Sequence, residues 1–221
     1  MATIYSDTAD QYNNIAQIGG TWANMRGDAT SSSAGYNNTA PSNAFAVHAA
    51  QSARGGGAFF LFRSFFVFVL TGESGTVSSA SLNFYGRNRL TPGDSAKVIA
   101  VEATTLAGST ADYGNVFTSG TTLGTAMSAG TEISGSLGYH SIPITGDTST
   151  GGIKVINDAI GSGKPTIGLM SFKYDYSNNT PPLGGDSQGT EVYFSDYSGT
   201  ARDPYLTINY VTAAVADNAT F

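Results

Sequence analysis

The sequence has no cysteine. Disulfides and thiolate metal sites are therefore excluded, and an apolar core must hold the fold. Charge is scarce too. Asp, Glu, Lys and Arg make up 12% of the 221 residues, about half the usual share. The net charge is −6, and no cluster of Lys or Arg occurs anywhere. That argues against nucleic acid as a partner, since phosphate binding needs a basic stripe. No apolar run reaches the roughly 20 residues of a membrane-spanning helix, so no membrane partner is expected. The first ten residues, MATIYSDTAD, lack the basic and apolar regions of a signal peptide. The expectation is a protein made in a host cytoplasm and used without classical secretion.

What the chain does have is one very apolar stretch. Residues 58–70, AFFLFRSFFVFVL, hold six of the twelve Phe. The stretch is aromatic, follows three glycines at 55–57 and reads as a strand. Phe60, Phe62, Phe66 and Phe68 fall on one face, and Phe59, Leu61, Phe65 and Val67 on the other. Only Arg63 and Ser64 interrupt the pattern. A strand apolar on both faces must be covered on both. One face is expected in the main core, and the other under a loop or a neighbouring subunit. Phe59, Leu61, Phe65 and Val67, with the terminal Phe221, are therefore the candidate interface residues.

Around this strand the chain reads as β. Strands are expected at 21–26, 44–49, 77–85, 96–101, 141–144, 166–174, 191–194 and 204–211. The clearest alternation is in 77–85, with Ala80, Leu82 and Phe84 on one side and Ser81, Asn83 and Tyr85 on the other. One helix is expected over 147–160, with Thr148, Ser149 or Thr150 as cap, an apolar side of Ile153, Val155, Ile156 and Ile160, and Gly161 as its stop. Long Gly/Ser/Thr-rich loops fill the rest. The fold class is all-β: a single jelly-roll β-sandwich with one short helix. It spans residues 1–211, and 212–221 form a C-terminal tail.

Five segments in order carry a resemblance. They are Arg63-Ser64-Phe65-Phe66-Val67-Phe68, the run from Val77 to Gly86, Asp112-Tyr113, the helix with Ile153 and Ile160, and Asp203-Pro204-Tyr205-Leu206-Thr207-Ile208-Asn209-Tyr210. Together the pattern resembles the disaggregatase-related, DNRLRE-type jelly-roll domains. The Asp common after the Arg-Ser strand in that family is replaced here by Val69, so a calcium or hydrogen-bond role does not carry over to that position. Such domains occur as carbohydrate-binding-like modules and as parts of bacteriophage virions. The resemblance implies a non-catalytic binding or structural role.

Motifs for chemistry are weak against their plain readings. Gly185-Asp186-Ser187-Gln188-Gly189 matches G-x-S-x-G, with His48 upstream and Asp94 or Asp112 between. A nucleophile elbow needs a strand before and a helix after, whereas here Pro181-Pro182 precedes and a strand follows. No His follows Ser187, so the Ser–Asp–His order fails as well. Gly161-Ser162-Gly163-Lys164 lacks the first Gly and final Ser/Thr of a phosphate loop and reads as a helix stop. Arg26-Gly27-Asp28 is an adhesion tripeptide by letter only. His48 and His140 stand alone, without zinc spacing. The acids Asp7, Asp10, Asp94, Asp112, Asp147, Asp175, Asp186 and Asp196 are dispersed. No cofactor is expected; a structural calcium ion held by loop oxygens is the one alternative left open. Exposed aromatics are what a sugar-binding face needs. Tyr36, Tyr113, Tyr139, Tyr174, Tyr176 and Tyr197 fall in or beside loops, and sequence does not show whether any of them cluster.

The expected function is non-enzymatic. The first reading is a virion structural protein, a bacteriophage capsid decoration (cement) protein or a fibre or tail component. It would sit in the virion, bind major capsid or other virion proteins, and form a homo-oligomer such as a trimer. The alternative is a carbohydrate-binding module at a cell surface, with surface glycans as partner.

Overall fold

The computed structural model describes residues 1–7, 12–18, 21–27, 44–51, 58–89, 96–107, 110–119, 122–133, 137–177, 180–182, 187–194 and 200–211. The tail at 212–221, with Phe221, lies outside the described residues. The strands are β1 (Ala2–Tyr5), β2 (Tyr12–Ile18), β3 (Ala44–Gln51), β4 (Phe59–Val67), β5 (Val77–Arg89), β6 (Ala96–Ala103), β7 (Phe117–Ser119), β8 (Thr122–Leu123), β9 (Thr131–Ile133), β10 (Gly138–Ile144), β11 (Gly146–Asp147), β12 (Thr166–Ser171), β13 (Ser187–Val192) and β14 (Tyr205–Tyr210). The helices are α1 (Trp22–Gly27) and α2 (Gly151–Ala159). A 3-10 helix covers Thr110–Val116, and a π-turn covers Phe172–Tyr176.

Eleven strands share one antiparallel hydrogen-bonded path, β1-β14-β5-β13-β3-β4-β12-β6-β9, with β10 added on β5 and β2 on β4. The path folds over into a β-sandwich. The front sheet is β1, β14, β5 and β10. The back sheet is β2, β4, β12, β6 and β9. β13 and β3 join them.

The fold-over follows from the side-chain pattern. Ala80, Leu82 and Phe84 of β5 are buried in one cluster with Ile142 and Ile144 of β10 and Leu206 and Ile208 of β14. Phe66 and Phe68, Val98 and Ala100 of β6, and Ile167 and Leu169 of β12 close it from the back sheet. Ile153 and Ile156 of α2 plug its end. Phe66 stacks on Phe194 with centroids 5.2 Å apart. Burying each of these large side chains contributes about 1.5–3 kcal/mol.

The back sheet has a second core on its outer face. Leu61 and Phe65 of β4, Ile99 and Val101 of β6 and Met170 of β12 pack there against Trp22 and Met25 of α1, Tyr113 and Val116 of the 3-10 helix, and Tyr174. β4 is thus buried on both faces. The expected cover over Leu61, Phe65 and Val67 is supplied by the chain itself, and all three are buried within it. Phe59 is half-buried against Trp22, with ring centroids 5.4 Å apart.

Local structure departs from the sequence reading in the added strands β1, β2, β7, β8, β9 and β11, in the strand expected at 191–194, which runs Ser187–Val192, and in three further places. Helix α1, Trp22–Gly27, stands where a strand was expected over 21–26. Trp22 and Met25, three apart, share the buried face, and the Thr21 hydroxyl accepts the Asn24 N–H at 3.3 Å as a cap. The helix expected from 147 starts at Gly151. Before it, the Asp147 carboxylate folds a tight turn by accepting the N–H groups of Ser149 (2.7 Å) and Thr150 (2.9 Å). The strand expected over 166–174 ends at Ser171, where the Ser171 hydroxyl accepts the Tyr174 N–H and opens the π-turn. Gly161 does stop α2, with φ +80°.

Candidate binding face

The outer face of the back sheet is closed by a buried ionic clamp. Arg63 sits on β4 among apolar neighbours and is fully buried. Its Nε and Nη2 donate to the two Asp175 carboxylate oxygens, both at 2.8 Å. Nη2 also donates to the Arg26 carbonyl at 2.8 Å, and Nη1 to the Tyr113 carbonyl at 2.9 Å. The guanidinium lies over the Tyr113 ring at 4.3 Å, and the Tyr113 hydroxyl donates to the Met25 carbonyl. One residue thereby ties β4 to α1, to the 3-10 helix and to the π-turn. The planar fork of Arg suits this bidentate geometry and Lys does not.

Among the described residues, the outer face of the front sheet carries no second core. By strand alternation Tyr5, Tyr205, Asn83, Tyr85 and Tyr139 point away from the core. The register sets Tyr5 opposite Tyr205, Tyr205 opposite Asn83, and Tyr139 opposite Tyr85. The rings form a continuous row. Tyr5 lies 5.8 Å from Tyr205, Tyr205 is 5.3 Å from Tyr139, Tyr139 is 5.2 Å from Tyr85, and Tyr85 is 5.8 Å from Tyr193. Neighbouring rings are tilted by 56–80°. β10 and β14 flank β5 on opposite edges, so Tyr139 leans across β5 to reach Tyr205. Asn83 lies beneath it and is only 7% exposed.

Polar contacts fix the row in place. The Tyr139 hydroxyl donates to the Ala201 carbonyl at 2.9 Å. Asn83 donates its amide to the Ser81 carbonyl and the Thr207 hydroxyl, both at 3.1 Å. Arg202 lies over the rings of Tyr85 (5.2 Å) and Tyr193 (4.8 Å) and ends the row. Tyr5 and Tyr139 are each 45% exposed. Burial, then the neighbouring phenols of Tyr205 and Tyr5, then Asp203, push the Tyr139 pKa above its ordinary 10.0. Tyr139 is therefore neutral at physiological pH.

The other sequence candidates do not assemble with it. Ser187 opens strand β13 opposite Ala50, and His48 pairs with Gly189, so the G-x-S-x-G stretch runs into a sheet strand and not an elbow. Asp94 lies outside the described residues. The Asp112 carboxylate accepts the Ala107 N–H at 2.7 Å and the Asn115 amide at 2.8 Å. Lys164 forms an ion pair with Asp7 at 3.1 Å. Arg26 of the adhesion tripeptide donates to the Asp175 carbonyl, while Asp28 lies outside the described residues. His140 packs its ring 6.1 Å from Phe84. Among the described residues no three His, Asp or Glu side chains converge on a metal position, and no helix is long and apolar enough to cross a membrane. A cavity of about 210 Å³ between α1 and the β7–β8 hairpin is lined by Arg26 and Asp175, which belong to the clamp.

Of the four loop tyrosines singled out that are among the described residues, only Tyr139 belongs to the row. Tyr113 and Tyr174 are buried, Tyr176 stacks on Phe172, and Tyr36 and Tyr197 lie outside the described residues. Tyr5, Tyr85, Tyr193 and Tyr205 carried a signal only as outward members of alternating strands. The chain matches no protein-family model, and no curated protein matches its sequence.

Proposed function

We propose that the chain is a non-enzymatic structural protein of a bacteriophage virion, a capsid decoration protein or a fibre or tail component, that meets its partner through the tyrosine face. The observation that carries this reading is the asymmetry of the sandwich. Among the described residues, α1, the 3-10 helix and the π-turn cover one sheet, while Tyr5 and Tyr139 of the other sheet's aromatic row are each 45% exposed. Aromatic side chains concentrate binding energy in contact surfaces, and the low charge suits close packing against a neighbour. The resemblance to DNRLRE-type domains points the same way.

A second reading, a carbohydrate-binding module acting at a cell surface, draws on the same row. The two separate in one experiment. Light scattering after size exclusion, followed by co-sedimentation with capsids of the encoding phage, should give an oligomer, or a monomer that pellets with capsids. A monomer that stays in the supernatant and is retained by polysaccharide would transfer the assignment to the module.

A further inference from the structure

Oxidisable side chains are few on the described surface, and its most exposed phenols lie in the row. The chain has no cysteine. Its one tryptophan, Trp22, is buried, as are Met25, Met127 and Met170. Met1 is exposed, but oxidation of its sulfur ends in a sulfoxide and not in a cross-link. Among the described side chains the exposed tyrosines are Tyr5 and Tyr139. Both pack against Tyr205, which lies between them. The ring centroids are 5.8 Å apart for Tyr5 and 5.3 Å apart for Tyr139. Two surface phenols thus meet at one half-buried phenol.

The two neighbours of Tyr139 are not equivalent. Tyr85 is as close, at 5.2 Å, but the Arg202 guanidinium lies over its ring and over that of Tyr193. A cation held against a ring face is stabilised by the ring's electrons, so it opposes their removal. Among the described residues no cation lies over Tyr139 or Tyr205. The Tyr139 hydroxyl donates to the Ala201 carbonyl at 2.9 Å, which tethers the ring beside Tyr205. We infer that Tyr139 and Tyr205 are an oxidative cross-linking site, where a one-electron oxidant converts the pair to dityrosine in the free chain. Each phenol gives one electron to the oxidant and one proton to water. The two radicals join through a new C–C bond between ring carbons beside the hydroxyls. The hydrogens on those carbons shift to the oxygens and restore both phenols. The product carries two hydrogens fewer than the parent chain. The bond ties β10 to β14 across β5, with which both strands pair. Like a disulfide, it restricts the unfolded chain and so stabilises the front sheet. The chemistry needs no bound partner and goes beyond the virion reading.

The test is photo-oxidation of the full chain with tris(bipyridyl)ruthenium and persulfate at low protein concentration. Dityrosine fluorescence, denaturing gels and peptide mapping read the outcome. A single-chain product lighter by two hydrogens should appear, with Tyr139 and Tyr205 in one cross-linked pair of peptides. Tyr139→Phe and Tyr205→Phe keep the rings and remove the phenols, and each should abolish that link. Having both variants covers the case in which one of them perturbs the fold. Tyr85→Phe should leave the link in full. Tyr5→Phe should lower its yield, because one point of entry for the oxidant is lost. The same treatment in urea should lose the link, since only the fold brings residues 139 and 205 together. The linked chain should unfold at a higher urea concentration than the unlinked one. Absence of dityrosine, a link from Tyr139 to Tyr85 instead, links between chains alone, or an equal yield in urea would overturn the site.

Discussion

The two sheets of the sandwich end differently at solvent. Outside the back sheet the chain adds a second core of Trp22, Met25, Tyr113, Val116 and Tyr174, locked by the Arg63–Asp175 pair. Outside the front sheet the described residues place Arg202 over Tyr85 and Tyr193 and leave Tyr5 and Tyr139 each 45% exposed. The back face explains why β4 is apolar on both sides. The exposed aromatic patch on the front face is where we propose that a partner docks.

Breaking the clamp should have the largest effect. Arg63→Ala leaves the Asp175 carboxylate buried without its bidentate partner, and removing one member of a buried pair costs about 3–5 kcal/mol. Urea denaturation should show that loss, and tyrosine-face binding should persist wherever the protein remains folded. Arg63→Met combined with Asp175→Leu should regain part of it, because apolar replacement of a buried pair is often neutral. Phe65→Ala, in the same covered core, should cost about 3–5 kcal/mol.

The front face should answer the opposite way. Tyr5→Ala should cost about 1 kcal/mol or less, the size of one cross-strand pair. A loss comparable to that of Phe65→Ala would mean that the row is a structural element of the sheet. The smallest effect is that of pH. Burial and the Glu73 carboxylate raise the Tyr210 phenol well above 10.0, and Tyr139 is raised as well. The unfolded chain releases these protons near pH 10 while the folded chain keeps them. Their contribution is therefore full below about pH 10 and declines as pH rises towards the folded values. Tyr210→Phe should flatten that decline in an alkaline denaturation series.

Much of the fold was legible because it is periodic. Alternation placed Ala80, Leu82 and Phe84 inward, and the apolar spacing of Ile153 and Ile156 marked α2. The β4 run demanded cover on both faces, and both are covered. The rest depends on contacts distant in sequence. Trp22 and Met25 make a helix because the back sheet is there to receive them, and a six-residue segment carries little helical signal of its own. Arg63 was visible as an interruption, but Asp175 lies 112 residues away among sixteen scattered acids. The tyrosine row is assembled from β1, β5, β10, β14 and the residue after β13, so no local window contains it.

The most direct test of the asymmetry is residue-resolved tyrosine nitration, read by mass spectrometry. Tyr5 and Tyr139 should react readily, and Tyr113 and Tyr174 should be protected. Ready nitration of Tyr113, or protection of Tyr5 and Tyr139, would contradict the account of one covered face and one exposed aromatic face.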